Sequence, residues 1–306
     1  MALDGEPLTF TLGLGAQKAG TTWVHRYLRG SDRWAQGFRK EYHVFDALDL
    51  DQMKWRVART LEAVEHGVAA FRGTAGAPGS ADGDTEDGDD GGSGGPNPGA
   101  FMIAAMMAQP AIYFDYFSGL LQRPGKTLAA DFTPDYALLG ADRVRQIRRG
   151  FDRHGVRTRA IFLMRDPVDR TISAVRMRKR FLPDQAPWEV GEAVERMHTD
   201  QAIASRSDYT PTLAMLDEVF APEETYVGLY EELFDESAVQ AICDVVGIPF
   251  HQPDFEVRHN ANTVLDTEVP EDVQRRVAQS HADVYEAVSR RLDRDVAEVW
   301  PSARLL

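Results

Sequence analysis

The sequence is short of cysteine, of basic residues relative to acidic ones, and of long apolar runs. Its 306 residues include a single cysteine, Cys243, which excludes an internal disulfide framework and a cysteine-rich zinc site. The longest apolar run, residues 101–108, is far shorter than the roughly 20 residues that a membrane span needs. Lysine and arginine total 34 against 48 acidic residues, and the net charge of −14 argues against nonspecific nucleic-acid binding. With no basic and apolar leader visible, we expect a soluble, cytoplasmic protein.

The remaining composition is that of a globular protein, with 43% hydrophobic and 27% charged residues. Residues 73–99 differ from the rest of the chain. They are rich in glycine, carry six aspartates and glutamates, and contain no lysine or arginine. Because this segment has almost nothing to bury, we expect it to be a disordered surface insert in one domain that spans residues 1–306.

Short apolar runs alternate with helical patterns along the chain. Buried strands are predicted at residues 8–14, 127–130, 159–164 and 225–229. Helices are predicted from Thr21 to near Gly30, from Pro167, from Pro187 to Ile203, from Asp235 to Val246, and from Val273 to Leu292 as one long amphipathic helix. This alternation indicates an α/β fold, a single domain with a central parallel sheet flanked by helices.

The first predicted strand leads into GLGAQKAGTTW at residues 13–23, a glycine-containing turn before a helix. The N–H groups and the dipole of a first helical turn attract anions. Lys18 adds a full positive charge, and Thr21 and Thr22 add hydroxyl donors. The segment is not a Walker A loop, GxxxxGK[ST], because its lysine precedes the last glycine by two positions. The pattern predicts a phosphate site at this turn.

A second junction of strand and helix carries RDPVDRTIS at residues 165–173. Arg165 ends the predicted strand, at the edge where open α/β sheets bind ligands. Ser173 lies two helical turns further on. A planar guanidinium group suits phosphate oxygens, and the hydroxyl adds a neutral donor. The spacing therefore predicts a second phosphate contact.

Together, these two segments resemble those of the PAPS-dependent sulfotransferases, whose loop reads KSGTTW or similar and whose 3′-phosphate motif reads R(D/N)PxxRxxS. The resemblance implies a P-loop-like fold and 3′-phosphoadenosine 5′-phosphosulfate (PAPS) as sulfuryl donor, with no metal. It also implies that the Trp23 ring stacks on adenine. The residues that it assigns to the donor are Lys18, Ala19, Gly20, Thr21, Thr22, Trp23, Arg165 and Ser173.

Between the two phosphate segments lies KEYHVFD, residues 40–46, which resembles the KExHFFD segment of the heparan-sulfate-type and many bacterial sulfotransferases. The resemblance implies that Glu41 takes the proton of the acceptor hydroxyl while Lys18 stabilises the leaving phosphate. His43 is an alternative base, because a histidine does this work in the cytosolic branch and its pKa suits neutral pH. In a third interpretation, Glu41 is a structural partner of Lys40, and all three stay open at this point.

A third segment, DFTPDY at residues 131–136, resembles the family's EKTPAYF, which lines the acceptor cleft. Phe132 stands where the heparan-sulfate branch has a helpful lysine, which weakens the case for a polysaccharide acceptor. SRSDY at residues 205–209 resembles a further family stretch. The residues that the resemblance assigns to the acceptor are Lys40, Asp131, Thr133, Tyr136 and Tyr209, and candidates for a C-terminal 3′-phosphate contact are Arg258, His259 and Asn260.

The resemblance implies sulfuryl transfer to the hydroxyl of a small molecule, a sugar or a lipid by in-line displacement. One alternative is a P-loop-type nucleotide kinase with Asp131 as the magnesium-holding residue, although the chain lacks the GK[ST] sequence. Another is a catalytically silent nucleotide-binding module, which the presence of Glu41 and His43 disfavours. The identity of the acceptor and the oligomeric state stay open.

Overall fold

The computed structural model describes residues 5–72, 97–181, 188–256 and 268–306. In this part of the chain, one sheet is formed by the strands β1 (Thr9–Gly15), β2 (Leu128–Asp131), β3 (Arg157–Met164) and β4 (Thr225–Leu229). All neighbouring pairs are parallel, and the strand order is β2-β1-β3-β4. The predicted α/β architecture is confirmed. The first and last residues of each predicted strand lie within two residues of those observed.

Helices flank this sheet. Their bounds are α1 (Thr21–Arg29), α2 (Phe45–Asp49), α3 (Trp55–Phe71), α4 (Pro98–Ala108), α5 (Ala111–Leu121), α6 (Ala141–Asp152), α7 (Pro167–Phe181), α8 (Val190–Met197), α9 (Gln201–Ala204), α10 (Thr210–Val219), α11 (Glu236–Val246), α12 (Glu271–Ser280) and α13 (Ala282–Leu292). Every residue of β1 is buried, although neighbours in a strand point to opposite faces. Both faces of the sheet are therefore covered at its centre.

Two predicted helices are each divided in the structure. The predicted helix that reaches Leu292 breaks at His281, whose backbone has φ −122° and ψ 22°. The predicted helix that reaches Ile203 ends at Met197, and Ile203 belongs to the short α9; its predicted start at Pro187 lies outside the described residues. Apolar spacing continues across both breaks, so periodicity alone does not reveal them.

Most of the predicted insert lies outside the described residues, because only residues 97–99 of it are described. These three begin α4: the Asn97 side chain accepts a hydrogen bond from the Ala100 amide at 3.2 Å, and Pro98 is the first helical residue. Within the described ranges, no helix is long and apolar enough to cross a bilayer.

The sheet order brings the sequence motifs together. Because β1 and β3 are parallel neighbours, their carboxyl ends lie side by side, and α1 and α7 begin there. The carboxyl end of β2 lies on the other side of β1. Residues 13–23, 131–136 and 165–173 therefore converge at one edge of the sheet, where open α/β folds bind ligands.

Candidate active site

The loop after β1 turns sharply through two residues with positive φ, Lys18 at 71° and Gly20 at 92°. Inside the loop, the Ala19 amide donates to the Ala16 carbonyl at 3.1 Å. Gly20 precedes α1 without a side-chain cap, and Thr21 and Thr22 form the first turn. N–H groups at a helix start lack intrahelical acceptors, so this turn offers donors to an anion.

The two predicted phosphate segments touch each other. Arg165 Nη1 donates to the Lys18 carbonyl at 3.3 Å, and the guanidinium carbon lies 4.7 Å from the centre of the Tyr230 ring. Arg165 Nε is buried and has no hydrogen-bond partner among the described residues, and Asp169 Oδ2 lies 3.9 Å from Nη2. Because a buried unsatisfied donor is costly, this guanidinium group suits an anionic partner. The loop and Arg165 thus meet in the structure, and their binding of a nucleotide stays a prediction.

Two further residues assigned to the donor are largely buried. Ser173 lies on α7, and Trp23 lies on α1 with 6% of its surface exposed. The Trp23 ring is nearly parallel to that of Tyr27 at 5.7 Å and to that of Phe255 at 5.9 Å. Trp23 thus packs within an aromatic cluster of this chain, and the adenine contact stays a prediction.

The segment after α1 builds a chain of hydrogen bonds around Glu41. Lys40 Nζ donates to Thr22 Oγ1 at 2.7 Å and to Glu41 Oε1 at 2.8 Å. The other carboxylate oxygen, Oε2, lies 3.1 Å from His43 Nε2. The Glu41 side chain keeps 23% of its surface exposed, whereas that of Lys40 keeps 4%. Lys40 therefore connects the first turn of α1 with a carboxylate that solvent can reach.

The electrostatics of this chain separate the two candidate bases. Burial favours the neutral form of Glu41, but Lys40 and His43 outweigh it and hold the pKa of Glu41 well below its usual range. Burial alone would lower the pKa of His43, yet hydrogen bonds to Asp46 and Glu41 raise it to about 9. At neutral pH, His43 is an imidazolium and Glu41 is a carboxylate. Of the two, Glu41 is the group able to accept a proton.

The backbone at His43 adopts the left-handed conformation, with φ 51°. In the described part of the chain, Lys18 and Asp293 are the other non-glycine residues with positive φ. Such a conformation costs on the order of 1–3 kcal/mol, and it persists where the surroundings enforce it. Two of the three residues predicted to be catalytic, Lys18 and His43, thus have strained backbones.

Three residues assigned to the acceptor instead support the backbone of residues 42–45. Thr133 Oγ1 accepts from the Tyr42 amide at 2.9 Å, and the Tyr136 hydroxyl accepts from the Val44 amide at 3.2 Å. Asp131 accepts from Thr133 Oγ1 at 2.6 Å, and burial raises its pKa to about 6. All three side chains are fully buried. Direct contact with an acceptor stays a prediction for them, and the observed contacts are structural.

Tyr209 also makes a supporting contact. Its hydroxyl donates to the Arg165 carbonyl at 2.7 Å and accepts from the Arg165 amide at 3.3 Å. The ring is buried against Phe162 and Trp300. Tyr209 therefore fixes the backbone that carries the Arg165 guanidinium group, and its predicted contact with an acceptor is untested.

The Phe132 side chain is fully buried in the core. A Cβ atom on Gly13 would lie 2.2 Å from the Phe132 ring, so glycine is needed there, and the ring also packs edge-on to His25. The position that carries a lysine in the heparan-sulfate branch thus supplies no cation here. Lys40 adds a positive charge beside Thr22, in addition to Lys18.

Two contacts were missed by the sequence analysis. His43 Nδ1 lies 2.6 Å from Oδ2 of Asp46, which is completely buried at the start of α2. Asp135, next to this pair, is bound by Arg206 Nε at 2.7 Å. The signal for Asp46 was present, because it lies three residues after His43 inside KEYHVFD. For Arg206, no sequence pattern indicated its partner. Arg258, His259 and Asn260 lie outside the described residues.

No family model and no curated protein sequence matches the chain. A solved sulfotransferase from Alicyclobacillus acidocaldarius matches 97% of this chain and 99% of its own, with a TM-score of 0.58 and 16% identity. The chain has the fold of a sulfotransferase. At that identity, the likeness concerns the fold alone.

Two more sulfotransferase structures match at lower scores. The sulfotransferase domain from the curacin biosynthetic pathway matches 92% of this chain and 99% of its own, with 15% identity and a TM-score of 0.42. The sulfotransferase domain from the Synechococcus PCC 7002 olefin synthase matches 90% and 94%, with 14% identity and a TM-score of 0.43.

Proposed function

We propose that this protein is a sulfotransferase that moves the sulfuryl group of PAPS to a hydroxyl group of a small molecule, a sugar or a lipid. The observation that carries the proposal is the bridge formed by Lys40. Its Nζ donates to Thr22, in the first turn of α1, and to Glu41, the candidate base. A donor-binding element and a proton acceptor are thereby joined within two hydrogen bonds. The sulfotransferase fold supports the same conclusion.

The donor would be held by groups that the described chain offers to anions. The first turn of α1, with Gly20, Thr21 and Thr22, suits one phosphate or sulfate group. Arg165, with its unsatisfied Nε, suits another. Lys18 lies between these elements in the loop and meets Arg165 through its own carbonyl. Two anion sites beside each other fit a nucleotide that is phosphorylated at both its 3′ and 5′ positions.

PAPS supplies an activated sulfuryl group: a bond forms between the acceptor oxygen and sulfur, and the bond between sulfur and the phosphate oxygen breaks. Glu41 takes the proton of the acceptor hydroxyl. Lys18 and Lys40 offset the negative charge that develops on the leaving phosphate. His43, already protonated, donates to Glu41 and orients it.

A nucleotide kinase is disfavoured by Asp131, the residue that would have to hold magnesium. Its carboxylate is fully buried and accepts hydrogen bonds from Tyr113 at 2.9 Å and from Thr133 at 2.6 Å. A metal ion would have to displace these partners. A silent binding module is disfavoured by the strained backbone at His43, because strain of this kind clusters at functional sites.

Nucleotide selectivity tests the proposal. Isothermal titration calorimetry with 3′,5′-ADP, the product of the donor, is expected to show binding without magnesium. AMP, which lacks the 3′-phosphate, is expected to bind at least tenfold more weakly, because a charge-assisted contact is worth about 1.5–3 kcal/mol. Preference for ATP with magnesium over 3′,5′-ADP would overturn the proposal in favour of a kinase.

A further inference from the structure

We propose that Asp46 is a positioning residue of this site, which orients the His43 ring so that its Nε2–H group is directed at Glu41. The expected effect of Asp46 on turnover rests on the proposed function, whereas its effect on the protonation of His43 does not depend on any reaction. Asp46 is the last residue of the KEYHVFD segment, and its role in that segment had not been assigned.

The geometry at Asp46 is that of a buried carboxylate with one partner. Its Oδ2 atom lies 2.6 Å from His43 Nδ1, and the side chain is completely buried. Its Oδ1 atom is buried and has no hydrogen-bond partner in the described part of the chain. A buried carboxylate needs a compensating donor or charge, and the imidazole of His43 is the group that meets it.

His43 is held from both ends of its ring. Nδ1 faces Asp46 and Nε2 faces Glu41, and an ionised carboxylate can only accept hydrogen bonds. The raised pKa of His43 favours the imidazolium form, which donates to both carboxylates at once and so fixes the plane of the ring. Glu41 accepts hydrogen bonds from His43 at Oε2 and from Lys40 at Oε1, so each carboxylate oxygen has a donor. Asp46 therefore orients His43, and His43 in turn orients Glu41.

The charged groups that face His43 come from several elements. Glu41 and Asp46 contact the ring nitrogens, Asp131 at the end of β2 and Asp135 in the turn after it add negative charge, and Arg56 on α3 opposes them. Asp46 makes the shortest contact of these groups with the ring. Removing its charge is thus expected to affect His43 most directly.

The test is a titration of the histidine ring nitrogens by NMR, on the full chain without substrate. In the wild-type protein, His43 is expected to carry both protons at pH 7, with its signal assigned by comparison with His43→Asn. Asp46→Asn keeps the shape and removes the charge, so the titration midpoint of His43 is expected to fall by roughly one to three pH units. Asp49→Asn is the matched control, because Asp49 lies on the same helix but is paired with Arg143.

Kinetics complete the test. Asp46→Asn is expected to lower kcat up to about 100-fold, the effect of misplacing a catalytic group, with nucleotide affinity unchanged. Asp46→Glu restores the charge, so the titration midpoint of His43 is expected to return part of the way to its wild-type value. A wild-type His43 that is neutral at pH 7, or a midpoint that Asp46→Asn leaves unchanged, would overturn the inference. The wild-type titration needs neither substrate nor Asp46→Asn, so a His43 that is neutral at pH 7 overturns the inference even if that variant does not fold or no sulfuryl transfer is found.

Discussion

His43 Nε2 lies 3.1 Å from Glu41 Oε2, so the two residues that competed as candidate bases are hydrogen-bonded to each other. The pKa of His43 is raised to about 9 chiefly by its hydrogen bonds to Asp46 and Glu41, which outweigh burial. The pKa of Glu41 is held low although burial opposes ionisation, because Lys40 and His43 are cationic. The pair therefore has one proton donor and one proton acceptor at neutral pH. This division of roles favours Glu41, rather than His43, as the base.

The nucleotide contacts give the first prediction. Lys18→Ala and Arg165→Ala are each expected to weaken binding of 3′,5′-ADP by about 1.5–3 kcal/mol, the range for hydrogen bonds to charged groups. Calorimetry measures the change. Lys126→Ala and Arg153→Ala are matched controls, because these residues lie at the opposite edge of the sheet, before β2 and β3. Wild-type affinity in both Lys18→Ala and Arg165→Ala would refute the two-site assignment.

Lys40 gives a prediction for the dependence of rate on pH. Lys40→Met removes a cation that lowers the pKa of Glu41, so that pKa is expected to rise. Because a protonated carboxyl is no base, the acid limb of the kcat profile is expected to move to higher pH. Lys54→Met, at an exposed lysine paired with Asp51, should leave the profile in place. A profile with the same acid limb in Lys40→Met would show that Lys40 does not tune the base.

His43 gives a prediction for stability. Its pKa is about 9 in the folded protein against an ordinary value of 6.5, so protonation stabilises the folded state fully below pH 6.5. This contribution, up to about 3 kcal/mol at 1.36 kcal/mol per unit, is lost as the pH rises through 9. Urea unfolding from pH 6 to pH 10 is expected to show a stability gap between wild type and His43→Asn that narrows with pH. A gap that stays constant would mean that His43 is not protonated in the folded protein.

The acidic segment gives a contrast between two deletions. Residues 73–96 contain no large apolar side chain, so their replacement by a short Gly-Ser linker is expected to leave the melting temperature within a few degrees. Extending the deletion through residue 99 also removes the Asn97 cap and the first residues of α4. A lost cap costs about 1 kcal/mol, so the longer deletion is expected to melt lower. Equal melting temperatures for the two variants would contradict the role of Asn97.

The sequence predicted those parts of the fold that local chemistry determines. Apolar runs located the strands, and Asp235 and Gly247 marked the ends of α11, as cap and as left-handed terminus. The break at His281 was missed because Val277 and Val284 keep helical spacing across it. One residue with non-helical dihedral angles changes the direction of the chain without changing the hydrophobic pattern.

The candidate site was predictable to a similar extent. Glycine, lysine and arginine at strand ends indicated anion binding because their function follows from the residue type and the local turn. The supporting contacts of Thr133 and Tyr136 were not predictable, since they join segments about ninety residues apart through single hydrogen bonds. Asp46 was overlooked although it lies three residues after His43 in the same segment, because that spacing alone does not show that the two side chains are hydrogen-bonded.

The most direct measurement of the central claim is the transfer of a labelled sulfuryl group from PAPS to a panel of hydroxyl acceptors, by wild type and by Glu41→Gln. Glutamine preserves shape and hydrogen bonding but removes basicity, and Glu62→Gln, at an exposed position of α3, is the control. The account predicts transfer by wild type and Glu62→Gln, and a loss of about 10²–10⁴-fold in turnover in Glu41→Gln with unchanged affinity for 3′,5′-ADP. Near-normal turnover in Glu41→Gln, or a wild-type protein that binds PAPS and transfers nothing to any acceptor, would contradict it.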